Sequence, residues 1–172
     1  MSMNMIVSVS ALLIGVAACA TDIRTRRIPN VLTLGAALAG MGFHVLTSGA
    51  DGALAAGSGW LVGLLLFLPF FALGGMGGGD MKLLAALGAW LGPRETVWLA
   101  VYAGVAGGVL GVAVAVASGY LRTAMSNVVM MFRYWSQVGM KPVPGLTLES
   151  AGAPRLAYAI PILAGTVATL WR

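Results

Sequence analysis

The feature that most limits what this chain can fold into is a series of long apolar runs with almost no charged side chains. Residues 1–21 carry none, and runs of similar character recur along the 172 residues. Charged residues make up 9% of the chain, whereas a soluble domain carries about 25%. Because the runs are close to the roughly 20 residues that a helix needs to cross a bilayer, the sequence predicts an all-α fold. The expected fold is a polytopic membrane helix bundle of about six transmembrane helices.

The apolar runs place these spans along the chain. They are expected at about residues 1–21, 28–46, 53–73, 80–91, 96–116 and 156–170. The fourth run is short, because its twelve residues make roughly 18 Å of helix against about 30 Å of hydrocarbon. Two explanations stay open: a locally thinned bilayer, or a helix end that lies below the surface and is protected by protein. Residues 127–138 mix apolar and aromatic side chains with Arg133, which predicts a helix on the membrane surface.

Small residues and one histidine give local expectations within the second and third spans. Gly59 and Gly63 are four residues apart, a spacing that allows two membrane helices to pack closely. Pro69 is expected to kink the second half of the third span. His44, the chain's one histidine, has no evident partner and is interpreted as a residue at the membrane interface.

The basic residues predict the orientation. With six spans, eight of the ten lysines and arginines fall on one side of the membrane, and only Arg94 and Arg172 fall on the other. The positive-inside rule assigns the eight to the cytoplasm, so the N-terminus is expected outside. The eight are scattered between apolar runs, which favours contact with membrane lipid and no nucleic-acid partner. They are Arg24, Arg26, Arg27, Lys82, Arg122, Arg133, Lys141 and Arg155.

Two aspartates reach this cytoplasmic boundary from distant parts of the chain. Asp80 lies in the glycine-rich stretch Gly74-Gly75-Met76-Gly77-Gly78-Gly79-Asp80-Met81-Lys82. Asp22 is the first residue of the segment Asp22-Ile23-Arg24. A carboxylate beside a membrane is costly and is therefore a functional candidate. Each also has a structural interpretation: Asp80 as a helix N-cap, and Asp22 as an anion paired with Arg24 or Arg26. The presence of both aspartates on one side of the membrane nevertheless favours a site that they share.

A pair of carboxylates can hydrolyse a peptide bond when one is ionised and the other protonated. One activates water, while the other polarises the carbonyl and protonates the leaving amine. Two adjacent acids share a proton, so the sequence does not decide which member is the base. Gly77, Gly78 and Gly79 would let an extended substrate backbone approach Asp80. Lys82 is expected to bind an anion or reach the headgroups, and Asn30 to support the site near Asp22.

These residues resemble those of a known family. Asp22-x-Arg24-x-x-x-Ile28-Pro29-Asn30 followed by Gly77-Gly78-Gly79-Asp80-Met81-Lys82 is similar to the type IV prepilin peptidases, which are membrane aspartic proteases with a GxGD motif. Leu156-Ala157-Tyr158-Ala159-Ile160-Pro161 is similar to the family's closing segment. The resemblance implies that Asp22 and Asp80 form the catalytic pair and that Gly77 and Gly79 are motif glycines.

The resemblance also implies a substrate and a location. The expected substrate is a prepilin or pseudopilin, whose leader is cleaved at the cytoplasmic face of the bacterial inner membrane. Larger members carry an N-terminal cytoplasmic region and also methylate the new N-terminus. This chain resembles the short form associated with Flp/Tad pili, so residues 1–172 are expected to form a single peptidase domain that cleaves without methylating.

Other functional classes remain as alternatives. A small transporter coupled to protons or cations would use the same acids for ion binding, and a structural subunit of a secretion machine would need neither. The single cysteine and single histidine provide no recognisable metal site, so no metal or other cofactor is expected. The sequence does not define an oligomeric state.

Overall fold

The structure is a computed structural model, and it describes residues 5–146 and 157–172. Every regular element in these ranges is an α-helix, which confirms the all-α fold class. The helices are α1 (Met5–Thr25), α2 (Asn30–Ala72), α3 (Gly78–Leu91), α4 (Pro93–Ala117), α5 (Leu121–Val138) and α6 (Ala159–Trp171). Arg155 and Leu156, which entered the predicted topology and the family resemblance, lie outside the described residues.

Among the described residues, three helices are long and apolar enough to cross a membrane: α1, α2 and α4. The 43 residues of α2 contain both the second and the third predicted span. Gly49 interrupts this helix with a φ of 59° and a ψ of −134°, a backbone conformation that glycine adopts without steric cost. We call residues 30–48 the first arm of α2 and residues 50–72 its second arm. The connection between the two arms is thus a single non-helical residue.

The short helix α3 forms the centre of the molecule. All its residues from Leu83 to Leu91 are buried, and it packs against both arms of α2 and against α1, α4 and α6. Its 14 residues make roughly 21 Å of helix, too little to cross the hydrocarbon. The structure therefore favours the second explanation for the short fourth run, in which surrounding protein protects the helix.

The C-terminal end of α3 is held by contacts that satisfy its polar groups. The indole Nε1 of Trp90 donates a hydrogen bond to the carbonyl oxygen of Ala36 at 2.8 Å. The ring nitrogen Nε2 of His44 donates to the carbonyl oxygen of Trp90 at 2.9 Å, one of the carbonyls that a helix end leaves unpaired. The expectation that His44 lacks a partner is therefore wrong. Its partner is a backbone atom, which no side-chain pattern reveals.

Glycines bring the second arm of α2 into direct contact with α3. A Cβ added at Gly59 would collide with the carbonyl oxygen of Gly88, and one added at Gly88 would collide with that of Gly59. At Gly63 an added Cβ would lie 2.7 Å from the carbonyl oxygen of Leu84. The close packing predicted for Gly59 and Gly63 is confirmed, and its partner is the central helix.

The outward-facing side chains are mainly apolar, as expected for helices surrounded by lipid. Leu34, Leu54 and Val105 are more than half exposed, and they belong to α2 and α4. The helix α5 buries none of its residues and carries Arg122 and Arg133 among its apolar side chains. It includes the surface helix expected at residues 127–138 and begins six residues earlier, at Leu121.

The contact between Gly59 and Gly88 predicts that alanine is tolerated differently at Gly59 and at Gly57, two glycines of the second arm of α2. We expect Gly59→Ala to lower the thermal unfolding temperature in detergent, because overpacking a tight contact costs about 1–3 kcal/mol. An added Cβ at Gly57 meets nothing within 4 Å. Gly57→Ala should leave the temperature unchanged or raise it slightly, since alanine favours helix by up to about 1 kcal/mol. Equal shifts for the two variants would contradict the close packing.

Candidate active site

Asp22 lies on the last turn of α1 and is turned inward. Its side chain is 7% exposed, and its Oδ2 accepts a hydrogen bond from the backbone N–H of Ala159 at 3.3 Å. Ala159 is the first residue of α6, and the first N–H groups of a helix have no partner within it and favour negative charge. Within residues 5–146 and 157–172, no ion pair joins Asp22 to Arg24, whose side chain is exposed.

Asp80 is the third residue of α3, at the end of the molecule where α1 ends and α6 begins. The N-cap position belongs to Gly77, so the N-cap interpretation of Asp80 is wrong. The Asp80 carboxylate instead accepts a hydrogen bond from the backbone N–H of Gly77. This is the contact that an acidic side chain at the third helical position makes with the N-cap residue. Asp80 is half-buried, so it keeps some access from outside.

The two aspartates are close enough to interact electrostatically. Burial raises the pKa of Asp80, the negative charge of Asp22 raises it further, and the Gly77 N–H partly opposes them, which gives a pKa of about 7. Asp80 is outside the three span-length helices of the described chain. A carboxyl group with a pKa near neutrality is present in both protonation states at pH 7, as a general acid–base catalyst requires.

The glycines before Asp80 leave room for neighbouring groups of the protein. A Cβ at Gly77 would lie 3.1 Å from Oδ2 of Asp80, and one at Gly79 would lie 3.2 Å from Cβ of Ile28. A Cβ at Gly78 would lie 3.2 Å from the ring of Phe71. In this structure the three glycines therefore allow the loop to pack around Asp80. Space for a substrate backbone, the reason expected from the sequence, remains a prediction.

Lys82 and Asn30 form a second polar contact near this end of α3. The Nζ of Lys82 donates a hydrogen bond to Oδ1 of Asn30 at 3.0 Å, which joins α3 to the start of α2. Both residues line a cavity of about 320 Å³ whose wall also includes Thr33 and Trp60. Asn30 was expected to support Asp22, but its side-chain oxygen is used by Lys82. The predicted binding of an anion by Lys82 stays untested.

The start of α6 contributes two groups that the sequence analysis did not assign to the site. The first is the N–H of Ala159, which binds Asp22. The second is the phenol of Tyr158, which interacts electrostatically with Asp80. Burial raises the pKa of Tyr158, and the negative charge of Asp80 raises it further. The sequence held one signal for Tyr158, its position at the start of the last apolar run on the side predicted for Asp22 and Asp80.

The site is thus built from side chains, with carboxylates as its main reactive groups. Across the part of the chain that the structure describes, no cluster of three histidine, cysteine, aspartate or glutamate side chains could hold a metal ion. The absence of a metal or cofactor from the reaction stays a prediction.

The fold and this site define a helical membrane protein with a pair of interacting carboxylates. Residues 9–112 match the model of the type IV leader peptidase family, and this match covers more than half of the chain and includes both aspartates. The chain belongs to the type IV leader peptidase family, a family of aspartic-type proteases.

Curated relatives agree with the family match over part of their length. Proteins named prepilin leader peptidase/N-methyltransferase are 42% identical over 86 residues in Dickeya chrysanthemi and 36% identical over 97 residues in Aeromonas hydrophila. These alignments cover 45% and 53% of this chain, but 29% and 33% of the relatives. The relative of the same name from Burkholderia pseudomallei (strain 1026b) is 38% identical over 98 residues, which cover 54% of this chain and 32% of the relative. The chain therefore aligns with about a third of the length of each relative. No solved structure gives a significant match.

The raised pKa of Asp80 predicts a pH-dependent cost to stability. The unfolded chain releases this proton near the ordinary pKa of 3.8, whereas the folded chain keeps it until about pH 7. Between these values the folded state binds more protons, so stability falls as pH rises. Asparagine cannot ionise, and Asp80→Asn should therefore raise the unfolding temperature at pH 8 by at least about 2 °C, the shift that about 1 kcal/mol produces in a chain of this size.

Thermal unfolding of the purified protein in detergent at pH 4.5 and pH 8 measures this effect. The gain from Asp80→Asn should be larger at pH 8. Asp51→Asn, at an exposed position of α2, controls for the loss of one negative charge. A gain that is equal at both pH values, or equal for both variants, would contradict a carboxyl group that is costly to ionise at position 80.

Proposed function

We propose that this chain is a membrane aspartic endopeptidase that removes the leader peptide from type IV prepilins or pseudopilins. The observation that carries the proposal is the electrostatic interaction between Asp22 and Asp80, which belong to separate helices, with a pKa of about 7 for Asp80. Family membership supports the reaction class. The names of the curated relatives support a prepilin as the substrate.

The proposed reaction is the addition of water to the peptide carbonyl. One carboxylate takes a proton from water, whose oxygen bonds to the carbonyl carbon, while the protonated acid polarises and then protonates the carbonyl oxygen. The resulting tetrahedral diol collapses when the C–N bond breaks: the protonated member of the pair gives its proton to the departing amine, while the other carboxylate takes a proton from a diol hydroxyl, whose oxygen becomes the carbonyl oxygen of the new acid. The pair ends with one proton, as it began. The roles of base and acid belong to the pair and are not divided between Asp22 and Asp80.

Supporting roles follow from the surroundings of the pair. Gly77, Gly78 and Gly79, at the N-cap and first two positions of α3, position Asp80 and leave it half-exposed. The bond from Lys82 to Asn30 ties the start of α3 to the start of α2, and the cavity beside it would admit part of the substrate. Arg24, two residues after Asp22, is exposed. We assign Arg24 to the membrane boundary, where it contacts lipid headgroups or substrate.

The location of cleavage is part of the proposal. The excess of basic residues on one side supports an active site at the cytoplasmic face of the bacterial inner membrane, with the N-terminus outside. The partners are then the pilin precursor and membrane lipid. Residues 1–172 act as one peptidase domain. The alternative of a carrier coupled to protons or cations is not favoured, because the family is one of peptidases.

Leader removal in cells tests the function directly. The chain is co-expressed with a candidate prepilin, and leader removal is followed by the change in size on a gel for the wild type and for Asp22→Asn and Asp80→Asn. Each substitution removes an ionisable group of the pair and should lower processing at least about 100-fold, the lower end of what general acid–base catalysis contributes.

The matched control is Asp51→Asn, which removes an exposed acid from α2 and should process like the wild type. Amounts of each variant in the membrane fraction are compared by immunoblot. A prepilin that stays uncut with every variant and with the wild type contradicts the peptidase assignment. Full processing by Asp22→Asn or Asp80→Asn contradicts the carboxylate pair.

A further inference from the structure

Tyr158 holds a polar group beside the acid pair that the proposed mechanism does not use. The residue immediately precedes α6, and its neighbour Ala159 gives its N–H to Asp22. Its own phenol lies in the field of Asp80. Ala159 therefore contacts Asp22, and Tyr158 interacts electrostatically with Asp80. In the sequence, Tyr158 is 136 residues after Asp22 and 78 residues after Asp80.

The position of the phenol is fixed from two sides. Its ring packs edge-on against Phe67, with 6.2 Å between ring centroids. Its hydroxyl lies against Gly107 of α4, where an added Cβ would be 2.5 Å from the oxygen. Any side chain at position 107 would therefore displace the hydroxyl. The absence of a side chain at Gly107 creates the space in which the Tyr158 hydroxyl sits.

Within the described residues the Tyr158 hydroxyl forms no hydrogen bond to a protein group. Tyr158 lines a cavity of about 530 Å³, as does Gly107, against which the hydroxyl lies, and the other lining residues, from α2, α4 and the loop before α3, are apolar or glycine. This volume is within the range of about 300–1,000 Å³ that ligand pockets occupy. Partly buried tyrosine hydroxyls usually have a hydrogen-bond partner. We therefore expect a group that enters the cavity to form this hydrogen bond.

We propose that Tyr158 is a catalytic residue, whose hydroxyl donates a hydrogen bond to the carbonyl oxygen of the scissile peptide. This inference rests on the proposed function. When water adds to the carbonyl, negative charge develops on that oxygen, and a fixed donor aimed at it stabilises the transition state more than the ground state. No covalent bond to Tyr158 forms, and its proton is not transferred.

The protonation state of Tyr158 agrees with a donor role. Because burial and the charge of Asp80 both raise the pKa of Tyr158, the phenol keeps its proton at neutral and moderately alkaline pH. The apolar surroundings also strengthen a hydrogen bond to a developing negative charge, since water does not screen it.

Two substitutions separate the hydroxyl from the rest of the residue. Tyr158→Phe deletes only the oxygen and keeps both the ring against Phe67 and the backbone N–H to Asp22. Gly107→Ala keeps the hydroxyl but displaces it. The matched controls are Tyr102→Phe, which removes the hydroxyl of a ring that packs at a tilt against Trp98 elsewhere on α4, and Gly57→Ala, which adds a Cβ in open space.

The test measures kcat and KM of the purified full chain in lipid nanodiscs, with a purified prepilin as substrate. Tyr158→Phe should lower kcat about 100-fold, the lower end of the effect of removing one oxyanion donor, with little change in KM. Gly107→Ala should also lower kcat. Both controls should retain the wild-type kcat, and unfolding temperatures report whether each variant is folded.

The outcomes distinguish this inference from the function on which it rests. An inactive wild type contradicts the peptidase function itself. An active wild type together with an unchanged kcat for folded Tyr158→Phe overturns the role of the hydroxyl, which then only binds water. If Tyr158→Phe fails to fold, Gly107→Ala decides: a kcat equal to that of Gly57→Ala also overturns the proposal.

Discussion

The burial of α3 by the other helices is the constraint on which the rest of the structure depends. Its 14 residues are mainly apolar but too few to cross the hydrocarbon, so the end that does not reach the membrane boundary would face lipid without protection. The second arm of α2 approaches α3 closely at Gly59 and Gly63. At the C-terminal end of α3, His44 donates a hydrogen bond to the carbonyl oxygen of Trp90. A helix enclosed in this way holds its first turn in a fixed place, and that turn carries Asp80.

The same enclosure makes a pair of acids costly, and helix ends offset part of that cost. Two carboxylates held near each other in a partly buried site repel each other and lose part of their hydration. The Gly77 N–H at the start of α3 and the Ala159 N–H at the start of α6 each bind one of them. These backbone donors limit the repulsion without neutralising the charge. The remaining cost is expressed in the pKa of Asp80, which is the property that a shared-proton mechanism needs.

The parts of this arrangement that were predictable are those encoded in side-chain pattern. Apolar runs indicated the helices, and the spacing of Gly59 and Gly63 indicated a close contact. The charge distribution predicted that Asp22 and Asp80 lie at the same membrane boundary; the structure shows that the two acids interact electrostatically, and their side of the membrane stays a prediction. The interruption of α2 at one glycine, the partner of His44 and the position of Tyr158 were not predictable, because each depends on a backbone conformation or a contact between residues far apart in sequence.

The C-terminal helix shows why a motif alone does not define the site. The family match ends at residue 112, so it contains both acids and the glycine loop but not α6. Yet the group that binds the Asp22 carboxylate is the N–H of Ala159, and α6 packs against both α1 and α4. Gly165 of α6 lies so close to the backbone of Ala103 in α4 that an added Cβ would be 2.7 Å from its nitrogen, so α6 is packed tightly on α4. The geometry at Asp22 therefore depends on a helix that lies beyond the matched motif, and substitutions in α6 can alter the acid pair without touching it.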